Sequence, residues 1–577
     1  MARTGLKIAG VIVILAGLML VATAGALYWL FTKAPAIEDK SVLVVKLCGE
    51  VPECGTDMLR GGPFGKAPVS MWDIRDVLQK AAADSRIAAV WIWIDYPVIG
   101  WAKAEEISEY LDEFRKSKKP AVAYLNAADE RSYMIALSCD SIFAPAEAFV
   151  EMNGLATQVT HLPGLLEKLG IKVQFERFGK YKSVSGEKYG RKELTEPVRE
   201  MINSLLDGEF DVLLSRICDR RRMQRDRLIE FLDQGNFWAR YSIAAGLVDA
   251  DKDEIAVEDY LKQKLGVEEK LNIVQAESYR EVPREDVGLG GGANRIAVVY
   301  SAGMVMQGGG GFNPVFWETE QGSDPVVKAL QKCVDDESTK AIVFRVDSPG
   351  GGGFGPEIIC NKIVEVQKKK PVVASMSDYA ASGGYWISMP ARKIVAQPST
   401  ITGSIGVWGI FPDFTGFNEK LGLTIDVLKR GSRADMLLAN RPLDEGEREL
   451  FRKGILDMYN SFVDGAARFR KMPREKMEEI AQGRSWLGRQ AKDNGLVDAL
   501  GGLDVAIDVA KKEAGIEGPV DLWLPGAKSW YENLAEKFSL AGRETSLAAI
   551  GEEVQELERR INAVRIYAAD PQRIEIR

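Results

Sequence analysis

Glu167-Lys168-Leu169-Gly170-Ile171 returns as Glu419-Lys420-Leu421-Gly422-Leu423 at a spacing of 252 (419 − 167), and this echo decides how the chain is organised. The same spacing sets Ile92-Trp93-Ile94-Asp95-Tyr96-Pro97 against Phe344-Arg345-Val346-Asp347-Ser348-Pro349. Lys118-Lys119-Pro120 answers Lys369-Lys370-Pro371 at a near-equal spacing, and Gly246-Leu247-Val248-Asp249 answers Gly495-Leu496-Val497-Asp498 at 249 (495 − 246). Four matches in one order mark a duplicated domain. The first copy takes residues 40–283 and the second 295–525, with a linker at 284–294 built around Gly288-Leu289-Gly290-Gly291-Gly292.

Within each copy, short apolar runs alternate with amphipathic ones. Val42 to Leu47, Ala89 to Ile94, Ile296 to Tyr300 and Ala341 to Val346 read as buried strands; Ala104 to Lys116 and Pro356 to Lys368 read as helices. That alternation predicts an α/β fold in both copies. Residues 526–577 form a tail in which Ser546 to Arg565 has helical periodicity amid many charges, equally suited to a solvated surface helix and to an oligomerisation element.

Residues 1–33 read as a short cytoplasmic segment and a membrane anchor. Ile8 to Thr32 is an uncharged apolar run that as a helix spans about 37 Å, more than the roughly 30 Å of bilayer hydrocarbon. Arg3 and Lys7 precede it and Tyr28 and Trp29 close it, which predicts a cytoplasmic N-terminus and an extracytoplasmic remainder. The rival reading, a signal peptide cleaved near Ala22-Thr23-Ala24, fits less well because the apolar run continues past that site. A net charge of -8 and the lack of a basic, aromatic-interleaved stripe argue against nucleic acid as a partner. The six cysteines show no metal-ligand spacing, so neither a metal nor another cofactor is expected. A disulfide between Cys48 and Cys54 is open to an exported domain, although free cysteines are the simpler account.

A duplicated enzyme needs only one copy of each catalytic part, so the differences between copies are informative. Asp347-Ser348-Pro349-Gly350-Gly351-Gly352-Gly353 is a glycine loop able to offer bare N–H groups, whereas its counterpart is Asp95-Tyr96-Pro97-Val98-Ile99-Gly100. Ala381-Ser382-Gly383-Gly384 follows a strand-like run and sets a serine in a tight turn; its counterpart, to within a one-residue gap, is Asp129-Glu130-Arg131-Ser132. Conversely, Phe178-Gly179-Lys180-Tyr181-Lys182-Ser183 faces Arg430-Gly431-Ser432-Arg433-Ala434-Asp435, so Lys182 has no equivalent in the second copy. Each of these features alone is weak, since a serine before glycines is commonly a helix cap and a lysine is commonly a solvated surface residue. Their complementary loss points to one composite site, with its serine from the second copy and its lysine from the first.

With these motifs, and with Gly403-Ser404-Ile405-Gly406-Val407, the chain resembles the long, duplicated form of the signal peptide peptidase A family, peptidase family S49. These are membrane-anchored bacterial serine proteases of the crotonase/ClpP-like superfamily. The resemblance implies two tandem crotonase/ClpP-like domains, Ser382 as nucleophile, Lys182 as general base and Ser404 as the residue that holds the lysine. It further implies hydrophobic peptide substrates such as signal-peptide remnants, a ring-like homo-oligomer, commonly a tetramer, and residence in the bacterial inner membrane. Ser183-Val184-Ser185-Gly186-Glu187-Lys188 departs from the Ser-Ala-x-Glu-Pro run usual after the lysine.

The chemistry agrees with that assignment. A serine hydroxyl needs a base, and the single histidine, His161, aligns with Asp413 far from the serine motif and reads as structural. A lysine buried between two domains can serve if it is uncharged. The expected oxyanion donors are the N–H groups of Gly383 and of the loop at Gly350 and Gly351. The competing readings are a crotonase-type acyl-CoA enzyme, disfavoured by export, and an inactive membrane scaffold.

Overall fold

Alternate residues of each central strand feed two different cores, which is why these segments read as unbroken apolar runs. Leu43, Val45 and Leu47 pack into one core, Val42 and Val44 into another. Ala297 and Val299 repeat the division against Ile296 and Val298. A sheet covered on both faces leaves no polar side to its strands.

The computed structural model describes residues 37–55, 68–182, 184–313, 318–525 and the pair 566–567. The predicted membrane run 8–32 and the tail helix 546–565 lie outside the described residues. Among the described residues no helix is long and apolar enough to cross a membrane.

The first half contains β1 (Ser41–Glu50), β2 (Ile87–Val98), β3 (Ala121–Ala128), β4 (Ser141–Ala144), β5 (Phe149–Met152), β6 (Lys172–Phe178), β7 (Asn236–Trp238), β8 (Ala250–Asp251) and β9 (Ile273–Gln275). All but β6 form one eight-stranded sheet in the order β7-β5-β3-β2-β1-β9, with β4 joined to β3 and β8. The second half contains β10 (Asn294–Ala302), a small sheet of β11 (Met304–Met306), β12 (Gly310–Asn313) and β13 (Glu318–Gly322), then β14 (Thr339–Ser348) and β15 (Val372–Ala381). It continues with β16 (Lys393–Ala396), β17 (Ile401–Gly403), β18 (Val407–Asp413), β19 (Ser485–Leu487), β20 (Ala499–Leu500) and β21 (Val520–Trp523). Its sheet runs β19-β17-β15-β14-β10-β21, with β16 joined to β15 and β20, and so matches the first position for position. The central strands pair in parallel and each sheet ends in an antiparallel pair, β5 with β7 and β17 with β19. The predicted helices occur as Trp101–Arg115 and Gly355–Val366.

One strand of the first half leaves its own sheet: β6 pairs antiparallel with β18, from Lys172 opposite Asp413 to Phe178 opposite Val407. Behind it, the helix Glu196–Arg221 covers β17 and β19, so that Ile401 and Leu487 belong to the first half's core. Carboxylates cross the seam in both directions. Asp378 accepts the N–H groups of Gly100 and Lys103, both at 2.9 Å, and thereby caps Trp101–Arg115. Glu106 accepts the N–H of Leu503 (2.8 Å), the first residue of the helix Leu503–Glu513. Between them Arg345, fully buried on β14, pairs with Glu53 (2.8 Å) and Glu106 (2.6 Å). Burial acts to raise Glu53, but Arg345 and Lys103 outweigh it and hold the carboxyl well below its ordinary range.

Cys139, Cys333 and Cys360 are buried, and Cys48 is exposed. His161 is half-buried, with Nδ1 2.8 Å from the Arg191 carbonyl oxygen.

Candidate active site

Ala380-Ala381 ends β15 as Ala127-Ala128 ends β3, so Ser382 corresponds to Asp129, within the one-residue gap expected. Ser382 sits at φ 55, ψ -116, between β15 and the helix Gly383–Ser388. A side-chain-bearing residue enters that region only under constraint. Here its N–H donates to the Gly403 carbonyl (2.8 Å) and its carbonyl accepts the Trp386 N–H (2.9 Å), and these two bonds hold the sharp turn.

Lys182 reaches this turn from the other half. It ends the turn that follows β6, and its Nζ lies 2.7 Å from Ser382 Oγ, 2.8 Å from Ser404 Oγ and 2.9 Å from the Ser404 carbonyl. Lys182 and Ser404 are each 2 % exposed and Ser382 is 0 % exposed. The three polar groups therefore meet away from bulk water. Ser404 is held in turn at φ 52 by donating its N–H to the Arg484 carbonyl (2.7 Å).

The glycines next to the serine leave room for backbone rather than side chains. A Cβ on Gly383 would lie 2.7 Å from the Gly351 nitrogen, and one on Gly384 would lie 2.5 Å from the Ser348 carbonyl oxygen. The Gly383 N–H opens its helix, where no upstream carbonyl within the helix receives it. Gly350 and Gly351 differ in what their N–H groups do. Gly350 donates to Ser348 Oγ (3.2 Å). Gly351 stands opposite Val305 in a bridge whose bonds use the Gly350 carbonyl (2.8 Å) and the Gly352 N–H (3.1 Å), so its own N–H lies outside that ladder.

Sequence reasoning passed over Gln482-Gly483-Arg484, the turn that clamps the lysine. The Tyr181 N–H donates to the Gln482 carbonyl (2.8 Å), and Gly483 donates to the Ile405 carbonyl (2.7 Å). A Cβ on Gly483, at φ 74, would sit 2.3 Å from Lys182 Cβ. Arg484 bonds Tyr181 Oη (3.0 Å) and Glu200 (2.7 Å). Its signal in the sequence is slight, because backbone makes most of these contacts. The segment after Lys182 that departs from the family pattern forms the helix Val184–Gly190, whose buried Glu187 pairs with Arg177 (2.6 Å).

An apolar flank adjoins the site. Val305 donates its N–H to the Gly350 carbonyl, which places β11 beside the glycine loop, and there Met304 and Met306 cluster with Phe175 and Trp408. Among the described residues no group of three or more His, Cys, Asp or Glu side chains is arranged to hold a metal ion.

Comparison with known proteins agrees on the family. The model of peptidase family S49 matches residues 113–269 and 364–517, one segment in each half. The chloroplastic serine protease SPPA of Arabidopsis thaliana is 36% identical over 487 residues, covering 83% of this chain and 70% of that protein. Protease 4 of Haemophilus influenzae is 27% identical over 506 residues, covering 83% and 80%. Protease 4 of Salmonella typhi is 30% identical over 457 residues, covering 77% and 72%. With both halves matched and such relatives aligned along most of their length, the chain belongs to peptidase family S49 and is a serine protease.

Proposed function

We propose that the protein is a membrane-anchored endopeptidase working through a Ser382–Lys182 dyad. The carrying observation is the 2.7 Å separation of Lys182 Nζ from Ser382 Oγ in a buried seam to which each half contributes one residue. Uncharged Lys182 takes the hydroxyl proton as Ser382 Oγ bonds to the scissile carbonyl carbon. The N–H groups of Gly383 and Gly351 receive the negative charge that forms on the carbonyl oxygen. Lys182, now an ammonium, returns its proton to the departing amine as the peptide C–N bond breaks. Water, deprotonated by the same amine, then releases the acyl group. Ser404 orients Nζ throughout.

Residues 40–283 and 295–525 are then the tandem crotonase/ClpP-like domains, a reading supported by their matched strand orders. Hydrophobic peptides, signal-peptide remnants among them, are the proposed substrates; the apolar flank of Phe175, Met304, Met306 and Trp408 supports this. The apolar run 8–32 supports an inner-membrane anchor with both domains on the extracytoplasmic side, and the assembly is read as a homotetramer.

The test is labelling of the full-length chain in detergent with a serine-directed phosphonate. The label is expected on Ser382, absent from Ser382→Ala and slowed in Lys182→Ala. A folded wild type that takes no label overturns the dyad and returns the scaffold reading; binding of coenzyme A in its place returns the acyl-CoA reading.

A further inference from the structure

The helix Trp101–Arg115 of the first half carries a second buried lysine to the ends of β14 and β15. Lys103 is 8 % exposed, and its Nζ lies 2.9 Å from Asp347, 3.5 Å from Glu53 and 3.9 Å from Asp378, with the Val51 carbonyl oxygen at 3.3 Å. All three carboxylates are buried as well. Burial acts to lower the amine, but Asp347, Glu53 and Asp378 outweigh it and hold Lys103 well above its ordinary value, so it is a fixed ammonium.

The carboxylates it joins stand where the two strands hand over to the site. β14 ends in Ser348 and leads into the glycine loop, and β15 ends in Ala381 and leads into the Ser382 turn. Between them the ladder breaks: Val346 pairs with Met376 and Ser348 with Ala380, and Asp347 falls in the slip. Ladder hydrogen bonds therefore do not by themselves fix how far the loop stands from the turn. Side chains take over there. Asp347 Oδ1 accepts the Tyr379 N–H (3.1 Å), its Oδ2 meets Lys103, and its carbonyl accepts the Gly303 N–H (2.9 Å). One residue on, Ser348 Oγ donates to the Gly350 carbonyl (3.0 Å) and accepts the Gly350 N–H (3.2 Å), which passes the placement of Asp347 on to the loop. Asp378, shortly before Ser382 on β15, caps the lysine's own helix. Lys103 thus bridges the two strand ends whose following N–H groups, those of Gly351 and Gly383, have to meet on one oxygen.

The first half has the same slip and no such brace. β2 and β3 slip between Ile94 and Asp95, and half-buried Asp95, the counterpart of Asp347, accepts only the neutral Asn126 side-chain N–H (2.9 Å) among its side-chain partners. At the spacing of 252 the counterpart of Lys103 is Gly355 (355 − 103), where a Cβ would lie 2.5 Å from the Met306 carbonyl carbon. The second half therefore returns no lysine. Taking an ammonium and three carboxylates out of water is costly, and the first half closes the same fold without doing so. The lysine stands only beneath the loop that the proposed reaction uses.

We propose that Lys103 is a positioning residue of the protease: by pairing with Asp347 across the seam, it sets the Gly350-Gly351 loop at the distance from Ser382 at which the Gly351 and Gly383 N–H groups share the developing oxyanion. It touches neither substrate nor nucleophile. The inference rests on the Ser382 nucleophile and the oxyanion donors proposed above. On it, the first half gives the site two lysines, one that moves a proton and one that braces the loop.

The purified full-length chain in detergent tests this with Lys103→Met and with the double variant Lys103→Met, Asp347→Asn. The single change leaves buried carboxylates short of a cation and is expected to lower the melting temperature. The double change removes one charge of each sign, so its melting temperature is expected back within a few degrees of wild type. Both variants are expected to turn over a short soluble peptide with kcat down about tenfold to a hundredfold and KM within about threefold, the split of a group felt only in the transition state. Both are expected to lose the same factor in affinity for a peptide aldehyde, whose oxygen occupies the oxyanion place once Ser382 Oγ has added to the aldehyde carbon. A double variant that regains wild-type kcat together with its stability overturns the inference and leaves Lys103 a group of the fold alone. A double variant that does not fold overturns it in the same way, and so does a fall in kcat with aldehyde affinity unchanged. A wild type that takes no serine-directed phosphonate on Ser382 overturns the dyad and this inference with it, whereas a labelled wild type beside fully active variants overturns this inference alone.

Discussion

At the end of β3 the chain reads Ala127-Ala128-Asp129-Glu130, and at the end of β15 it reads Ala380-Ala381-Ser382-Gly383. Asp129 rests at φ -103 and caps its own helix, accepting the N–H and hydroxyl of Ser132 (2.9 and 2.6 Å). Ser382 stands at φ 55, gives its helix no side-chain cap, and turns its hydroxyl to Lys182. A cap of the Asp129 kind is worth about 1 kcal/mol, and a residue constrained like Ser382 gives up about that much or more. Glu130 likewise fills with a side chain the place that Gly383 keeps clear, its carboxylate receiving the Asn153 and Gly154 N–H groups (2.8 and 2.9 Å). One structural position thus serves stability in the first half and, on the proposed mechanism, chemistry in the second, and the change from one to the other takes two residues.

On that contrast, the composite site fails chemically without either half failing as a fold. The largest effect is expected from Lys182→Ala, with kcat down about 10³-fold or more and a melting temperature within a few degrees of wild type. Near-normal turnover in the purified variant would sink the dyad. Next is Gly383→Ala, which moves the site toward the first half's condition by setting a methyl against the Gly351 nitrogen. Its kcat is expected to fall by about 10²-fold, the usual cost of one oxyanion donor; a rate within threefold of wild type would remove Gly351 from that role. Ser404→Ala comes third, at about tenfold to a hundredfold in kcat with a displaced pH profile, because Ser404 orients the amine and exchanges no bond. An unchanged rate and profile would take it out of the site.

The smallest effect concerns the seam and appears as stability. Burial, with Glu109 adding to it and the Ser399 hydrogen bonds opposing, pushes the Glu105 carboxyl up to about 7. The folded chain keeps that proton as pH rises while the unfolded chain releases it near 4.5. The contribution is therefore complete below pH 4.5 and is lost as pH climbs toward 7, at about 1.4 kcal/mol per pH unit for one proton. Glu105→Gln is expected to remove that part of the decline, measured by urea unfolding at pH 5 and pH 8. An identical decline in the variant would place the titration elsewhere.

The strands were legible because parallel strands covered on both faces are apolar throughout, and the pairing of Lys182 with Ser382 because two complementary losses survive in one chain. Arg345 was visible as a cation in an apolar strand, but its partners lie 292 and 239 positions away and carry no motif. The clamp at Gln482-Gly483-Arg484 was harder still. It grips the lysine turn through carbonyls and N–H groups, which every residue owns, and leaves a single glycine as its trace. The spacing of 252 ran one residue off at Ser382 because the ladder beside it slips, β2 against β3 between Ile94 and Asp95 and β14 against β15 between Val346 and Ser348.

The cap that Asp378 places on Trp101–Arg115 sets a clock on the molecule. Asp378 follows Lys103 by 275 residues, so through nearly half of translation the first half holds a helix whose leading N–H groups await their acceptor. Glu53 and Glu106 stand meanwhile without the arginine that later joins them. Lys182 emerges long before Ser382, and the turn that clamps it comes later still. On the proposed mechanism, catalytic competence is thus an event of the finished polypeptide, and a truncated one is born harmless.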